Sequence, residues 1–196
     1  MKKSTIIWIA VAVVILGSFV WVKNVYNKLV SADENTQSMW SQVENVYQRR
    51  ADLIPNLVAT VKGYAAHESQ TLENVVAARA KATQVTVDPS DLTSESVEKF
   101  NEAQGELSTA LGKLLLIQEN YPDLKANENF RDLQAQLEGT ENRIATERMK
   151  FNQAVKEYNT NIRRFPSNIL ASVFGFEQKG YFEAQAGSET APKVEF

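Results

Sequence analysis

Ile6 to Val22 reads IIWIAVAVVILGSFVWV, seventeen residues without a charge, and Ser4 and Thr5 extend the uncharged run to nineteen. At ~1.5 Å per residue a helix of that length nearly matches a ~30 Å hydrocarbon core. Trp8 and Trp21 stand near its two ends, where interfacial aromatics belong. The run reads as a membrane-spanning helix over about residues 5–22. Lys2 and Lys3 resemble the basic start of a cleavable signal, but no small-x-small site follows and no cysteine is available for a lipobox. An uncleaved, single-pass anchor in the cell membrane is therefore expected. Lys2, Lys3 and the terminal amine on one side nearly balance Lys23 and Lys28 on the other, so the charges leave the side of the carboxyl-terminal domain open.

Composition limits the chemistry open to the chain. With no cysteine and a single histidine, His67, it lacks disulfides, zinc–thiolate sites, iron–sulfur ligands and thiol nucleophiles. Setting Lys2 and Lys3 aside from the 21 Lys plus Arg leaves 19 bases against 24 acids after the span, and nucleic-acid binding is not expected of so acidic a domain. No glycine or proline separates Val22 from Ile54, so the span is expected to continue as a stalk.

Apolar residues recur three and four apart at Leu29, Ala32, Met39, Val43, Val46, Leu53, Leu57 and Tyr64, with Thr36, Arg50 and Thr60 filling polar seam positions. Pro55 lacks the N–H that would bond the Ala51 carbonyl, which predicts a kink or brief break at Leu53 to Asn56 before helix resumes to about Ala82. VTVDPSDLT (85–93) is a loop, and Ser94 is a candidate cap for a helix running to Tyr121-Pro122. From Asn127, another candidate cap, a third stripe runs to Phe165 before Pro166. The expected fold is all-α: an amino-terminal transmembrane helix continuing into an elongated, coiled-coil-like antiparallel bundle of three helices, or four if the chain also breaks near Gly63. Residues 1–22 would form the anchor segment, 23–166 the bundle and 167–196 an aromatic-rich tail.

The segment RRADLIPNLV (49–58), followed by Lys62-Gly63-Tyr64-Ala65 and His67-Glu68, resembles the LemA family. Ala78-Arg79, Ala110-Leu111-Gly112, YPDLKA (121–126), LEGTENRI (137–144), Tyr158-Asn159, Phe165-Pro166, Phe174-Gly175-Phe176, Tyr181-Phe182 and APKVEF (191–196) resemble its pattern in the same order, so the likeness covers essentially the whole chain. One departure is Glu177-Gln178-Lys179-Gly180, where a more basic, proline-containing linker is expected. The resemblance implies a bacterial membrane protein with one transmembrane helix, a helical domain and a short external amino terminus. It implies roles in envelope biology, including companionship with membrane metalloproteases and, in one branch, magnetosome formation. It carries over no catalytic residue and no cofactor.

Read directly, Arg49, Arg50, Asp52 and Asn56 lie beside Pro55, where guanidinium groups could bond the carbonyl it frees, as a structural clamp or as a ligand site. Glu138, Glu141, Arg143, Glu147 and Arg148 lie three and four apart and could meet Arg49, Arg50 and Arg79 in a buried ionic layer, with Gly139 permitting close approach. His67-Glu68 lacks the second histidine of a metalloprotease helix, so no metal or catalytic site is assigned. In the tail, Phe174, Phe176, Tyr181 and Phe182 need cover from the bundle, a membrane surface or a partner, and the carboxyl-terminal Phe196 has a form that strand-addition domains capture. The leading expectation is a non-enzymatic scaffold or adaptor, oligomeric and bilayer-anchored, with a membrane metalloprotease or other envelope protein as partner. The alternatives are a ligand-sensing stalk and a hydrolase using His67 and Glu68.

Overall fold

The computed structural model describes residues 3–183, and these contain helices joined by turns, with no strand among them. Helix α1 spans Lys3–Tyr64, α2 Ser69–Gln84, α3 Ser94–Leu116, α4 Pro122–Ala126, α5 Glu128–Arg163 and α6 Ser167–Val173; a short 3-10 turn, Ile117–Asn120, precedes α4. The apolar run and the stalk are one uninterrupted helix of 62 residues. Its first part is long and apolar enough to cross a membrane: the mean hydropathy of an 18-residue window is 2.3, with none of that window buried inside the protein.

Four long helices alternate in direction, α1, α2, α3 and α5, and α5 runs back along α1. The pairing is fixed by Leu29 with Tyr158 and Ile162, Trp40 with Phe151, and Arg50 with Glu141. Three apolar cores follow one another up α1. The first, nearest the apolar run, gathers Leu29, Tyr158, Ile162 and Ala171. The second is aromatic, built on Trp40, Tyr47, Phe100, Phe151 and Phe182. The third is largely aliphatic, from Ile54, Leu57 and Val61 to Leu107, Leu114, Phe130 and Leu137. Thr36 separates the first two along α1 and Arg50 the last two, both buried.

The seam of α1 differs from the expected one. From Thr36 onward the buried residues of α1 are Trp40, Val43, Tyr47, Arg50, Ala51, Ile54, Leu57 and Val61, while Met39, Val46 and Leu53 are half-buried and Tyr64 is exposed. A helix facing several neighbours buries two adjacent rows, and the large Trp40 and Tyr47 rings occupy the central one.

Pro55 neither breaks nor ends α1, so of the expected kink or brief break the break is absent. The helix stops instead at Ala65–Glu68, near Gly63, which makes the bundle four-helical. Thr93, rather than Ser94, caps α3 by accepting from the Ser96 N–H at 3.2 Å, and Asn127 caps α5 by accepting from the Phe130 N–H at 2.9 Å. The loop at 85–93 is present; Asp88 Oδ1 accepts from the Ser90 N–H at 2.8 Å, and Val87 and Leu92 plug into the aromatic core.

Candidate functional site

Two polar constructions hold the bundle together. The first is centred on Arg50, whose side chain is 1% exposed. Its Nη1 donates to Ser108 Oγ at 2.7 Å and to Glu141 Oε1 at 2.9 Å, and its Nη2 donates to the Gln104 carbonyl at 3.2 Å and to Gln104 Oε1. Gln104 Nε2 in turn donates to the Ala82 carbonyl at 3.2 Å. One guanidinium thus joins α1, α3 and α5, and through Gln104 reaches α2. Its carbon also lies 5.0 Å from the centre of the Tyr47 ring. Burial pushes the Tyr47 phenol above its ordinary pKa, with Arg148 and Arg50 pulling it partway back. Arg50 Nε is buried with no partner.

Pro55 is accommodated one turn away. The Ala51 carbonyl that it leaves free accepts from Arg79 Nε at 2.8 Å. The compensating guanidinium therefore comes from α2, and neither Arg49 nor Arg50 supplies it. That contact explains how α1 stays helical across a proline, since the lost intrahelical bond is replaced by a charge-assisted one.

Several other sequence candidates stand apart from this node. Arg49, Asp52, Pro55 and Asn56 are exposed, and Asp52 accepts only a local bond from Gln48 Nε2 at 2.7 Å. Glu138 and Arg143 are exposed too, and Glu138 pairs with Gln134 on its own helix. Of the expected ionic layer, Glu141 alone meets Arg50; Glu147 pairs with Lys150 on its own helix and Arg148 lies over the Phe182 ring. Gly139 makes no close helix contact: nothing lies within 4 Å of where a Cβ would stand. His67 is exposed in the turn after α1, and Glu68 accepts from the Tyr121 hydroxyl at 3.2 Å. Among the described residues no group of three or more His, Asp or Glu is placed to hold a metal.

The second construction receives the chain after α6. Gly175, at φ 75°, turns the backbone, with the Phe176 N–H bonding the Ala171 carbonyl at 2.9 Å. Extended chain then passes two asparagines of α5. Asn159 Nδ2 donates to the Lys179 carbonyl and its Oδ1 accepts from the Lys179 N–H, both at 2.9 Å; Asn152 makes the same pair with Phe182, also at 2.9 Å. Seven helical residues rise about 10.5 Å and three extended residues span about 10 Å, so the two amides match backbone groups three residues apart. Each asparagine acts as a neighbouring strand would.

Lys179 is buried and pairs with Asp33 at 2.8 Å, its ammonium 5.3 Å from the centre of the Tyr158 ring. The Tyr158 hydroxyl is pushed up to about 12 by burial, with Asp33 and Glu177 adding to the effect. Phe182 stacks on Trp40 at 5.6 Å and 10°, with Phe151 and Phe100 edge-on and the Arg148 guanidinium 4.6 Å away. Trp40 Nε1 is buried without an acceptor in hydrogen-bond geometry. Phe174 and Phe176 set their rings against Tyr26 at 4.9 and 5.9 Å, Tyr181 is exposed, and Phe196 lies outside the described residues. The roles of Asn152, Asn159, Lys179 and Trp40 were not read from the sequence. An asparagine pair spaced by seven on a buried face was the available signal.

Gly180 passes so close to α3 that an added Cβ would lie 2.6 Å from Ser94 Cα. The Gly180→Ala variant is expected to lift the tail from the bundle, because backbone cannot yield as a side-chain tip can. Proteolysis between residues 176 and 183 should become several-fold faster than in the parent, with helical circular dichroism unchanged.

A sequence profile of the LemA family matches residues 39–196. The chain belongs to the LemA family. Magnetosome protein MamQ 2 of Paramagnetospirillum magneticum is 29% identical over 182 residues, covering 84% of this chain and 67% of that protein. Magnetosome protein MamQ of Magnetospirillum gryphiswaldense is 27% identical over 184 residues, with the same coverage of 84% and 67%. Protein LemA of Metamycoplasma hominis is 22% identical over 158 residues, covering 81% of this chain and 68% of that one. None of these names denotes an enzyme. The profile begins at Met39, one residue before Trp40, and takes in both the Arg50 node and the asparagine clamp.

Proposed function

We propose that this LemA-family protein is a single-pass, membrane-anchored scaffold that holds other envelope proteins without doing chemistry of its own, and that it works as an oligomer. The observation that carries the reading is α1: one helix contains the apolar run and, from Leu29 onward, the central seam of the bundle. Such a chain sets the position of its bundle relative to the bilayer with no flexible linker, which is what a scaffold requires and an independently diffusing enzyme does not. The names of the magnetosome relatives, proteins of a membrane-bounded organelle, agree with a membrane setting for this chain.

A ligand-sensing stalk is the second reading, but the cleft beside the node favours it little. Lined by Tyr47, Ala82, Thr83, Phe100, Gln104 and others, it encloses about 110 Å³, against the roughly 300 Å³ at which small-molecule sites begin. Photo-crosslinking residues placed at exposed bundle positions of the full chain, in its native membrane, test the scaffold. Discrete adducts with a second copy and with a repeatable set of membrane proteins are expected. A chain that yields only monomer at every position would overturn the reading.

A further inference from the structure

We propose that the face formed by α6 and its flanks lies in the lipid headgroup layer of the same bilayer that α1 crosses, so that the protein touches the membrane at a second place. This rests on the anchoring proposed above and adds a surface to it. Ile169 and Val173 stand four apart on α6 and share one side of it, and Phe165 precedes them in the turn that leads into the helix. Phe165, Ile169 and Val173 are 77%, 55% and 72% exposed, and Phe174 beside them is 47% exposed. The other side of α6 is committed to the bundle, with Ala171 buried against Leu29, Tyr158 and Ile162. Four large apolar side chains outward on so short a segment form a patch that water does not favour.

Its place along α1 says what covers it. The Phe174 ring lies 4.9 Å from Tyr26, and Tyr26 follows Val22, the end of the uncharged run, by four residues, or about 6 Å of helix rise. Headgroup layers extend roughly 5–7 Å beyond the hydrocarbon on each side. The patch therefore sits at the depth where interfacial helices insert their apolar faces and where aromatic belts collect. Lys23, Arg163 and Arg164 are all exposed at this end of the bundle, cations suited to anionic headgroups.

The cysteine-free chain permits single-cysteine labelling of the full-length protein. A bimane label would be placed in turn at Ile169, Val173, Val14 and Met149, the last 68% exposed midway along α5. Each labelled protein would be reconstituted in phosphatidylcholine–phosphatidylglycerol vesicles carrying nitroxide lipids. Quenching of the Ile169 and Val173 labels by shallow nitroxides is expected to exceed that of Met149 by roughly threefold or more, with Val14 quenched by deep ones. Ile169 and Val173 quenched no more than Met149, while Val14 is quenched, would overturn this inference and leave the anchor standing. Blue-shifted but unquenched labels at Ile169 and Val173 would overturn it in favour of a second copy or a peptide as the cover. An unquenched Val14 would remove the anchor and this surface together.

Discussion

Replacing Arg50 with alanine is expected to destabilise the bundle by about 3 to 4 kcal/mol, the range for removing one member of a buried, hydrogen-bonded charge group. In a chain of this size that lowers the melting temperature by roughly 6 to 16 °C, read by circular dichroism of the full chain in detergent. The magnitude reflects the groups left without partners. Gln104 Oε1 loses its donor and Ser108 Oγ loses another, while the Gln104 carbonyl keeps the Ser108 hydroxyl, and a cavity opens beside Tyr47. Glu141→Gln should cost far less, about 1 kcal/mol, because the carboxylate is 46% exposed and water screens the pair. Arg50→Met, which fills the space without a charge, should recover more than half of the alanine loss. A melting temperature for Arg50→Ala within about 2 °C of the parent would mean that the node does not hold the helices together.

Phe182→Ala is the other large effect, with a loss of about 3 kcal/mol expected for a ring packed against three others. The loss should be local. Phe182 is held by the Asn152 amide and by the aromatic core and adds nothing to the α1–α5 seam beyond them, so helical content should stay at the parent level. Trp40, uncovered on its stacked face, should shift its fluorescence to the red, and the segment after Phe176 should become protease-sensitive. Because Trp8 and Trp21 lie outside the bundle and respond to lipid or detergent, the shift is best read as a difference from the parent in the same detergent. Global unfolding at a much lower temperature would instead make the tail part of the cooperative core.

The helical architecture was legible because period, caps and breakers agree along the chain. The stripe from Asn127 to Phe165 carries its own cap, and the loop at 85–93 carries Asp88, Pro89 and Ser90 where the turn needs them. What escaped was set by partners distant in sequence. Pro55 predicts a kink or brief break until Arg79 is seen to replace the missing bond at Ala51 from 28 residues away. Trp40 does not stand out in the stripe, because Met39 fits the same spacing and only the number of neighbouring helices decides which row is central. Arg50 is legible both beside Pro55 and as a member of an ionic layer with Glu141; the first role falls to Arg79, and the contact with Glu141 belongs to the link between two apolar cores. Asn152 and Asn159 bond backbone in an extended segment that no periodicity announces.

Unbroken α1 has a mechanical consequence once its first third is held in a bilayer. From Val22 to Tyr64 it extends about 63 Å beyond the span at ~1.5 Å per residue. With no joint between span and bundle, it is a lever pivoting at the membrane surface. A change in tilt of about 10°, within the range that helices adopt when bilayer thickness changes, sweeps its far end through about 11 Å. Anything gripped near Tyr64 would thus be displaced by a change in the thickness of the lipid below it.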